Sequence, residues 1–285
     1  MMTKEELKLK AKKFWRKFFW ILFIVLFLAY SLFPFVNLII TSLKNQEDIS
    51  LIPTEIWPHR FSLQFYINAF TKHHLQVYLL NSIIVSLGAM LITILIAFPA
   101  AYAFARIKFK HKKFWQNAIL LSNMFPIIAL VTPMFVIFRK MHIINTYWGL
   151  IIPSVIITLP MAIWTLIAFI KALPYDLEEA AQIDGCTRFQ SVVKVILPLT
   201  APGLFTTAII AFITAWNEFM FSLILVTKDS MRTVPVAISM FPGQYTVPWG
   251  DMAAASVIAT IPIVIVVLIC QKRIVAGLTS GAVKG

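Results

Sequence analysis

Residue patterns that support catalysis are absent from this sequence. It lacks the G-x-x-x-x-G-K-[ST] pattern that cradles nucleotide phosphates, and the H-E-x-x-H and G-x-S-x-G patterns of zinc proteases and serine hydrolases. Two cysteines cannot build a disulfide framework or a zinc cluster, and the five histidines are scattered along the chain. We therefore expect no catalytic residue, no metal site and no cofactor bound by this chain.

Acidic side chains concentrate instead in the stretch 171–203, KALPYDLEEAAQIDGCTRFQSVVKVILPLTAPG. Pro174 can open a helix, and Gly185 is a natural helix stop. Negative charge in the first turn suits the positive end of the helix dipole. The sequence therefore predicts a short helix over Tyr175–Asp184. Its acids are Asp176, Glu178, Glu179 and Asp184.

A second short helix is expected at Arg188–Val195, before Pro198 and Pro202 break the chain. A compact polar knob of this kind has two interpretations. It is an amphipathic loop lying on the membrane surface, or its acidic, small-residue face fits a groove on a soluble partner. Basic residues would favour the membrane surface. Because acids lead this segment, we favour the soluble partner.

Glu218 is a second candidate site, because it interrupts an apolar run that is otherwise free of charge. A carboxylate at membrane depth is costly and usually faces protein or water. With Trp216 and Asn217 beside it, it could accept sugar hydroxyls in a transport pathway, since aromatic rings pack on sugar carbons. Alternatively it locks the helix bundle through an internal hydrogen bond or ion pair. We favour the bundle-locking interpretation, because buried charges are commonly paired.

The elements that must position these residues follow from composition. The 285 residues are 60% hydrophobic and 13% charged, with a mean hydropathy of +0.84, which excludes an ordinary soluble domain. Six charge-free runs hold 20 or more residues each, the length that a helix needs to cross a bilayer. We predict an all-α integral membrane protein with six transmembrane helices. They are Phe18–Thr41, Val77–Ala105, Phe114–Phe138, Tyr147–Ile170, Ala201–Thr227 and Met252–Cys270.

Lys and Arg indicate how these helices are oriented. Eighteen lie in the segments 1–17, 106–113, 171–194 and 272–284, and seven lie in the segments between. The positive-inside rule then places both termini in the cytoplasm. The net charge of +13 is therefore a topology signal, and no nucleic-acid partner is needed to explain it.

The remaining parts of the chain follow from the same pattern. They are a basic cytoplasmic segment 1–17, an extracytoplasmic loop 42–76, a core 77–271 that contains the loop 174–198, and a cytoplasmic tail 272–285. The tail contains three glycines, which favour an extended conformation. Residues 233–250 hold Pro and Gly breakers, and we expect an outer loop packed on the bundle rather than a re-entrant segment.

The motif EAAQIDG followed by VILPLTAPG resembles the E-A-A-x-x-x-G loop of ABC-importer permeases, in which I-x-L-P follows nine residues later. Glu179, Ala180, Ala181 and Gly185 match it in type and spacing, as do Leu197 and Pro198, whereas Val195 replaces Ile. The WNEF at 216–219 and GLTSGAVKG at 277–285 are similar to the maltose-type carbohydrate-uptake subfamily. This resemblance covers nearly the whole chain except the first span and the 42–76 loop.

The resemblance implies a type I ABC-importer permease fold in a prokaryotic cell membrane, with a cytoplasmic coupling helix at 178–185. It implies that the partners are a second, related permease, two copies of a cytoplasmic ATPase that binds ATP and Mg, and an extracytoplasmic binding protein that delivers sugar. The chain itself would be a non-catalytic subunit. The alternatives are an importer for a non-sugar solute and a self-sufficient secondary transporter, although Glu218 alone among ionisable groups interrupts the spans.

Overall fold

The computed structural model describes residues 4–51, 55–241 and 247–282, and within these ranges all regular secondary structure is helical. The α-helices are α1 (Lys4–Ser42), α2 (Gln46–Ile49), α3 (Gln64–Thr71), α4 (Leu75–Arg106), α5 (Lys112–Ser122), α6 (Ile127–Lys140), α7 (Tyr147–Ala172), α8 (Asp176–Ile183), α9 (Arg188–Ser191), α10 (Leu197–Leu199), α11 (Ala201–Trp216), α12 (Met220–Leu225), α13 (Val234–Ser239) and α14 (Trp249–Ala282). A π-helical turn, Val192–Ile196, joins α9 to α10, and Asp229–Met231 is a 3₁₀ turn.

Four helices are long and apolar enough to cross a bilayer by themselves: α1, α4, α7 and α14. They coincide with the predicted first, second, fourth and sixth spans. Two further spans are counted if each of two bent helix pairs crosses the membrane once, which gives up to six. The apolar runs were therefore a sound guide to where helices form, but not to their straightness.

The third predicted span, Phe114–Phe138, is not one helix. It divides into α5 and α6, which meet at an angle of 92° across the break at residues 123–126. Pro126 has no N–H to donate to the preceding turn, and its ring disfavours helical geometry for Phe125. The break therefore has a local cause in the sequence.

The fifth predicted span, Ala201–Thr227, is also interrupted. α11 ends at Trp216, and α12 starts at Met220 after a short irregular segment. On the other side, the helical run Arg188–Leu199 meets α11 at 72°. The prediction that Pro198 and Pro202 break the chain before the fifth span is confirmed: the bend lies at Thr200, between the two prolines, although the helical run continues through Pro198 itself. The π-helical turn Val192–Ile196 lies directly before Pro198, which has no N–H to donate to that turn.

The core of the larger compact unit, residues 74–241 with 259–285, is built on α4, α7 and α11. Ala97 and Ala101 are fully buried on one face of α4 and pack with Ile163 and Leu166 of α7. Small residues at this spacing let membrane helices approach closely. Gly203 serves the same purpose between α11 and α7, since an added Cβ would collide with the ring of Phe169.

The smaller unit comprises residues 1–73 and 242–258. In it, the Asp48 carboxylate accepts hydrogen bonds from the backbone N–H and contacts the ring Nδ1 of His59, at 3.0 and 2.9 Å. Burial alone would raise the pKa of Asp48, but these hydrogen bonds and the His59 charge outweigh it, so this pKa is lowered. The hydrogen bond to Asp48 in turn raises the pKa of His59. Both side chains are therefore charged at a pH between the two pKa values, and there the ion pair joins residue 48 to residue 59.

The C-terminal part of the chain differs from its prediction. The tail was expected to be extended, but α14 continues as a helix through Ala282. Residues 233–241 match the expected packed loop more closely, because the Val234 N–H donates to the Ser82 hydroxyl of α4 at 2.8 Å. Residues 242–246 lie outside the described residues.

Candidate functional site in the 174–198 loop

The short helix α8 forms where the acidic cluster predicts it, at Asp176–Ile183. It ends in a Schellman arrangement: the Cys186 N–H donates to the Ala181 carbonyl at 2.9 Å, and the Gly185 N–H donates to the Gln182 carbonyl at 3.1 Å. Gly185 has φ +88°, a left-handed conformation that side chains disfavour. The predicted helix stop at Gly185 is therefore confirmed.

α8 has two faces of opposite character. Glu178 and Ala181 point inward, with 2% and 7% of their surface exposed. Glu179, Ala180, Asp184 and Gly185, which the motif singled out, are all exposed. Ile183 lies on the exposed face with 85% of its surface open. The motif residues thus divide into a group that attaches the helix to the protein and a group that faces away from it.

The inward attachment is a buried ion pair. Glu178 Oε1 lies 2.6 Å from Nε of Arg106, the last residue of α4, and both side chains are at least nine-tenths buried. The other oxygen, Oε2, accepts a hydrogen bond of 2.8 Å from the Tyr102 hydroxyl, one turn earlier on α4. α8 is therefore held to the end of a membrane helix from which it is separated by about 70 residues of chain.

Arg106 also fixes the chain that leads into α8. Its guanidinium donates to the Leu173 carbonyl at 2.8 Å and stacks over the Tyr175 ring at 5.1 Å. Arg188 of α9 lies near enough to Tyr102 and Glu178 to interact with their charge and dipole. The ends of α4, α7 and α9 thus meet around one carboxylate. We call Tyr102, Arg106 and Glu178 the anchor cluster.

The second arm of the loop is fixed by ordinary packing. Thr187 and Gln190 form a capping box at the start of α9. Ile196 is fully buried in the cluster that α4 and α7 build. Leu197 is half-buried, Pro198 is exposed, and Phe189 exposes 77% of its surface. The loop therefore exposes two large apolar side chains, Ile183 and Phe189, although Glu178 and Ile196 attach it to the rest of the protein.

Glu218 is arranged differently. Its carboxylate accepts hydrogen bonds from the backbone N–H of Phe221 at 2.7 Å and of Ser222 at 2.9 Å, and from the Ser222 hydroxyl at 2.8 Å. These donors belong to the first turn of α12, so Glu218 caps the helix that follows it. The described structure shows no ion pair for this residue.

The neighbours of Glu218 also make local contacts. Trp216 is buried and stacks on Phe212, one turn earlier in α11, with 5.8 Å between ring centroids. The Asn217 side chain donates to the Ile213 carbonyl at 2.9 Å. Trp216, Asn217 and Glu218 therefore terminate one helix and begin the next.

Sequence reasoning missed the anchor cluster because Arg106 was considered only as a topology signal. One pattern was available: Tyr102 and Arg106 are four residues apart and share a face of α4. Nothing in the sequence, however, indicates which acid would reach that face, because the pairing depends on how α4 and α7 end side by side.

Residues 93–280 match the family model described as binding-protein-dependent transport system inner membrane component. The chain is 43% identical over 264 residues to a trehalose/maltose transport system permease protein of Thermococcus litoralis, covering 92% of this chain and 94% of that one. It is 43% identical over 275 residues to a trehalose transport system permease protein of Mycobacterium tuberculosis, covering 95% and 98%. A sulfoquinovosyl glycerol transport system permease protein of Agrobacterium fabrum is 39% identical over 258 residues, covering 90% of each chain.

Among solved structures, a chain of a bacterial ABC transporter involved in the import of the acidic polysaccharide alginate has the same fold. The TM-score is 0.77 at 17% identity, and the match covers 95% of this chain and 98% of that one. A chain of a bacterial alginate ABC transporter in complex with alginate pentasaccharide-bound periplasmic protein matches with a TM-score of 0.69 at 16% identity, covering 93% and 96%.

Proposed function

The chain belongs to the family of binding-protein-dependent transport system inner membrane components, and we propose that it is the permease subunit of an ATP-driven sugar importer. It forms half of the translocation path and carries sugars of the oligosaccharide class. The substrates named for its 43% identical relatives, trehalose and maltose, support this class.

The observation that carries the proposal is the division of α8 into two faces. The anchor cluster ties one face to α4, and the other face leaves Ile183 and the neighbouring Phe189 exposed. Exposed apolar side chains on a rigid frame are typical of a docking surface. The partner is a cytoplasmic ATPase that binds ATP and Mg, because this sequence has no nucleotide-binding pattern of its own.

The complete importer then has two permeases, two ATPase copies and an extracytoplasmic binding protein. This chain contributes six spans in a prokaryotic cell membrane, with α5 and α6 together as the third span, Ala201–Thr227 as the fifth, and both termini in the cytoplasm. The excess of Lys and Arg in the four segments placed on the cytoplasmic side, 1–17, 106–113, 171–194 and 272–284, supports this orientation. Movement of the ATPase against α8 would shift the end of α4 through the anchor cluster and so change access to the path.

The test is gentle purification of the full chain from its native membrane. We expect an ATPase subunit and a second hydrophobic subunit to co-purify, and sugar uptake to require ATP. Ile183→Asp places a charge in the docking surface and should lower the amount of bound ATPase about tenfold. Leu63→Asp makes the same change at an exposed residue of the 42–76 loop, and it should leave ATPase binding unchanged.

Two outcomes would contradict the proposal. Uptake without ATP or an ATPase would favour the self-sufficient secondary transporter. ATP-dependent uptake of an amino acid or an ion, with no sugar carried, would favour an importer for a non-sugar solute.

A further inference from the structure

A cavity of about 620 Å³ lies within the larger unit, between the α5–α6 break, the middle of α7 and α11. Small-molecule sites typically occupy about 300–1,000 Å³. Asn123 lines the cavity from the break, Thr165 from α7 and Thr214 from α11. The cavity is thus surrounded by three separate segments of the chain, none of which belongs to the 174–198 loop.

The backbone at the break is an independent sign that this cavity does not face lipid. α5 and α6 are bent by 92° with irregular residues between them, in a run that is apolar enough to span the membrane. Unwound backbone at membrane depth is tolerated only where protein covers it or where it lines a cavity that holds water. Interrupted membrane helices of this kind often form solute sites in transporters.

The polar groups of the cavity are of two kinds. The hydroxyls of Thr158 and Thr207 are used within the protein, since Thr158 donates to the Ser154 carbonyl and Thr207 to the Gly203 carbonyl. By contrast, the side chains of Asn123, Thr165 and Thr214 make no hydrogen bond to any other described residue. Threonines in helices commonly bond back to their own turn, but Thr165 and Thr214 do not. Their hydroxyls and the Asn123 amide are therefore available to bond a ligand.

The lining also excludes charge. Along the part of the chain that the structure describes, no Asp, Glu, Lys, Arg or His side chain lines this cavity, and most of its wall is Ile, Leu, Met, Phe and Ala. An ionised solute would lose its hydration without gaining a counter-charge, which is costly in an apolar site. A neutral solute with hydroxyls and apolar faces fits both parts of the wall.

We propose that this cavity is the wall that the chain contributes to the sugar path, that Asn123, Thr165 and Thr214 bond the hydroxyls of the passing sugar, and that the sugar is neutral. This inference rests on the proposed function and refines it. Sugars of both kinds occur among similar proteins: the permease relatives include trehalose and maltose systems but also a sulfoquinovosyl glycerol system, whose sugar is anionic, and one matched structure belongs to an importer of an acidic polysaccharide. The uncharged lining assigns this chain to neutral sugars.

The test uses the complete importer in proteoliposomes with ATP inside and saturating binding protein outside. The probes are radiolabelled maltose and trehalose as neutral sugars, and sulfoquinovosyl glycerol as an anionic one. The variant Thr165→Val with Thr214→Val removes both free hydroxyls at nearly constant volume. The control Thr207→Val removes a hydroxyl that is already bonded to its own helix.

We expect the wild type to import a neutral probe and to exclude the anionic one. The double variant should import the neutral probe at least about fivefold more slowly, the loss expected for one hydrogen bond, while its ATP hydrolysis changes less than about twofold. The control should import at the wild-type rate.

Three results would overturn the inference alone. The first is uptake of the neutral probe by the double variant at the wild-type rate. The second is import of the anionic probe by the wild-type importer as fast as the neutral ones. The third is a double variant that assembles poorly but transports normally per assembled complex. The last result would mean that a helix of the second permease fills the cavity. A wild-type importer that carries no sugar at all would overturn the proposed function as well.

Discussion

Glu178 and Glu218 are both carboxylates in an apolar chain, yet the protein uses them in opposite ways. Glu178 in α8 is buried and pairs with Arg106 and Tyr102 of α4, about 70 residues away in the chain. The Glu218 carboxylate bonds only to Phe221 and Ser222, three and four residues after it, in the first turn of α12. The first carboxylate joins two distant elements, and the second shapes one local bend.

This difference shows which of the two regions can transmit a movement. A force on α8 reaches α4 through an ion pair that is too buried for water to compete with it. A force at Glu218 would change the angle between α11 and α12 and involve no other described element through its side chain. This contrast supports the proposal that the loop 174–198, and not the region around Glu218, connects a cytoplasmic partner to the membrane helices.

The comparison predicts its largest effect at Glu178. Glu178→Ala leaves the Arg106 guanidinium buried without a counter-charge, and it should cost about 3–5 kcal/mol of stability. Thermal unfolding of the purified chain, followed by size-exclusion fluorescence, measures this loss. Glu179→Ala is the matched control: its side chain is exposed one residue later, and its stability should change by less than about 0.5 kcal/mol. Equal losses in the two variants would mean that Glu178 does not hold α8 in place.

The next effect is expected at Gly185, where α8 ends. Gly185→Val has space for its side chain but forces a β-branched residue to φ +88°, at a cost of about 1–2 kcal/mol. The strain should displace the end of α8 and lower sugar uptake more than ATP hydrolysis. Gly185→Asn tolerates the left-handed conformation and should retain most of the uptake. Full uptake by the Val variant would argue against a coupling role for this loop.

The smallest effect is expected at Glu218. Glu218→Ala removes a helix cap and should cost about 1 kcal/mol, well below the loss in Glu178→Ala. Glu218→Gln keeps an acceptor for α12 and should cost less still. Both variants should assemble, and their sugar affinity should equal that of the wild type. A changed affinity in a normally assembled Glu218→Gln variant would favour the pathway interpretation of this residue and weaken the contrast with Glu178.

Much of the helical pattern could be predicted from the sequence, because charge-free runs of 20 residues leave a chain few alternatives in a bilayer. The end of α8 was predictable for a similar reason: Gly185 is the one residue there suited to a left-handed turn. Pro126 indicated a kink in the third span, but not the 92° break between α5 and α6, because a proline in an apolar run does not distinguish a kinked helix from a divided one.

The site was less predictable than the helices. The motif identified α8 but not its orientation, and the inward position of Glu178 follows from the way α4 and α7 end together. The sequence could not predict that the free hydroxyls of Thr165 and Thr214 face one cavity, because only the packing of α7 and α11 brings them together. The role of Gly185, which acts within its own segment, could be predicted from the chain, whereas residues that act between segments require the fold.

The most direct test is cross-linking of single cysteines to the ATPase in the assembled importer. In a Cys186→Ser, Cys270→Ser background, Ile183→Cys lies on the exposed face of α8, Ala181→Cys on its inward face, and Asn217→Cys beside Glu218. A short bifunctional thiol–amine reagent should join the ATPase to the cysteine at 183, and to neither of the others. A transport-competent importer in which position 183 fails to cross-link, or position 217 cross-links equally well, would contradict the assignment of α8 as the docking helix.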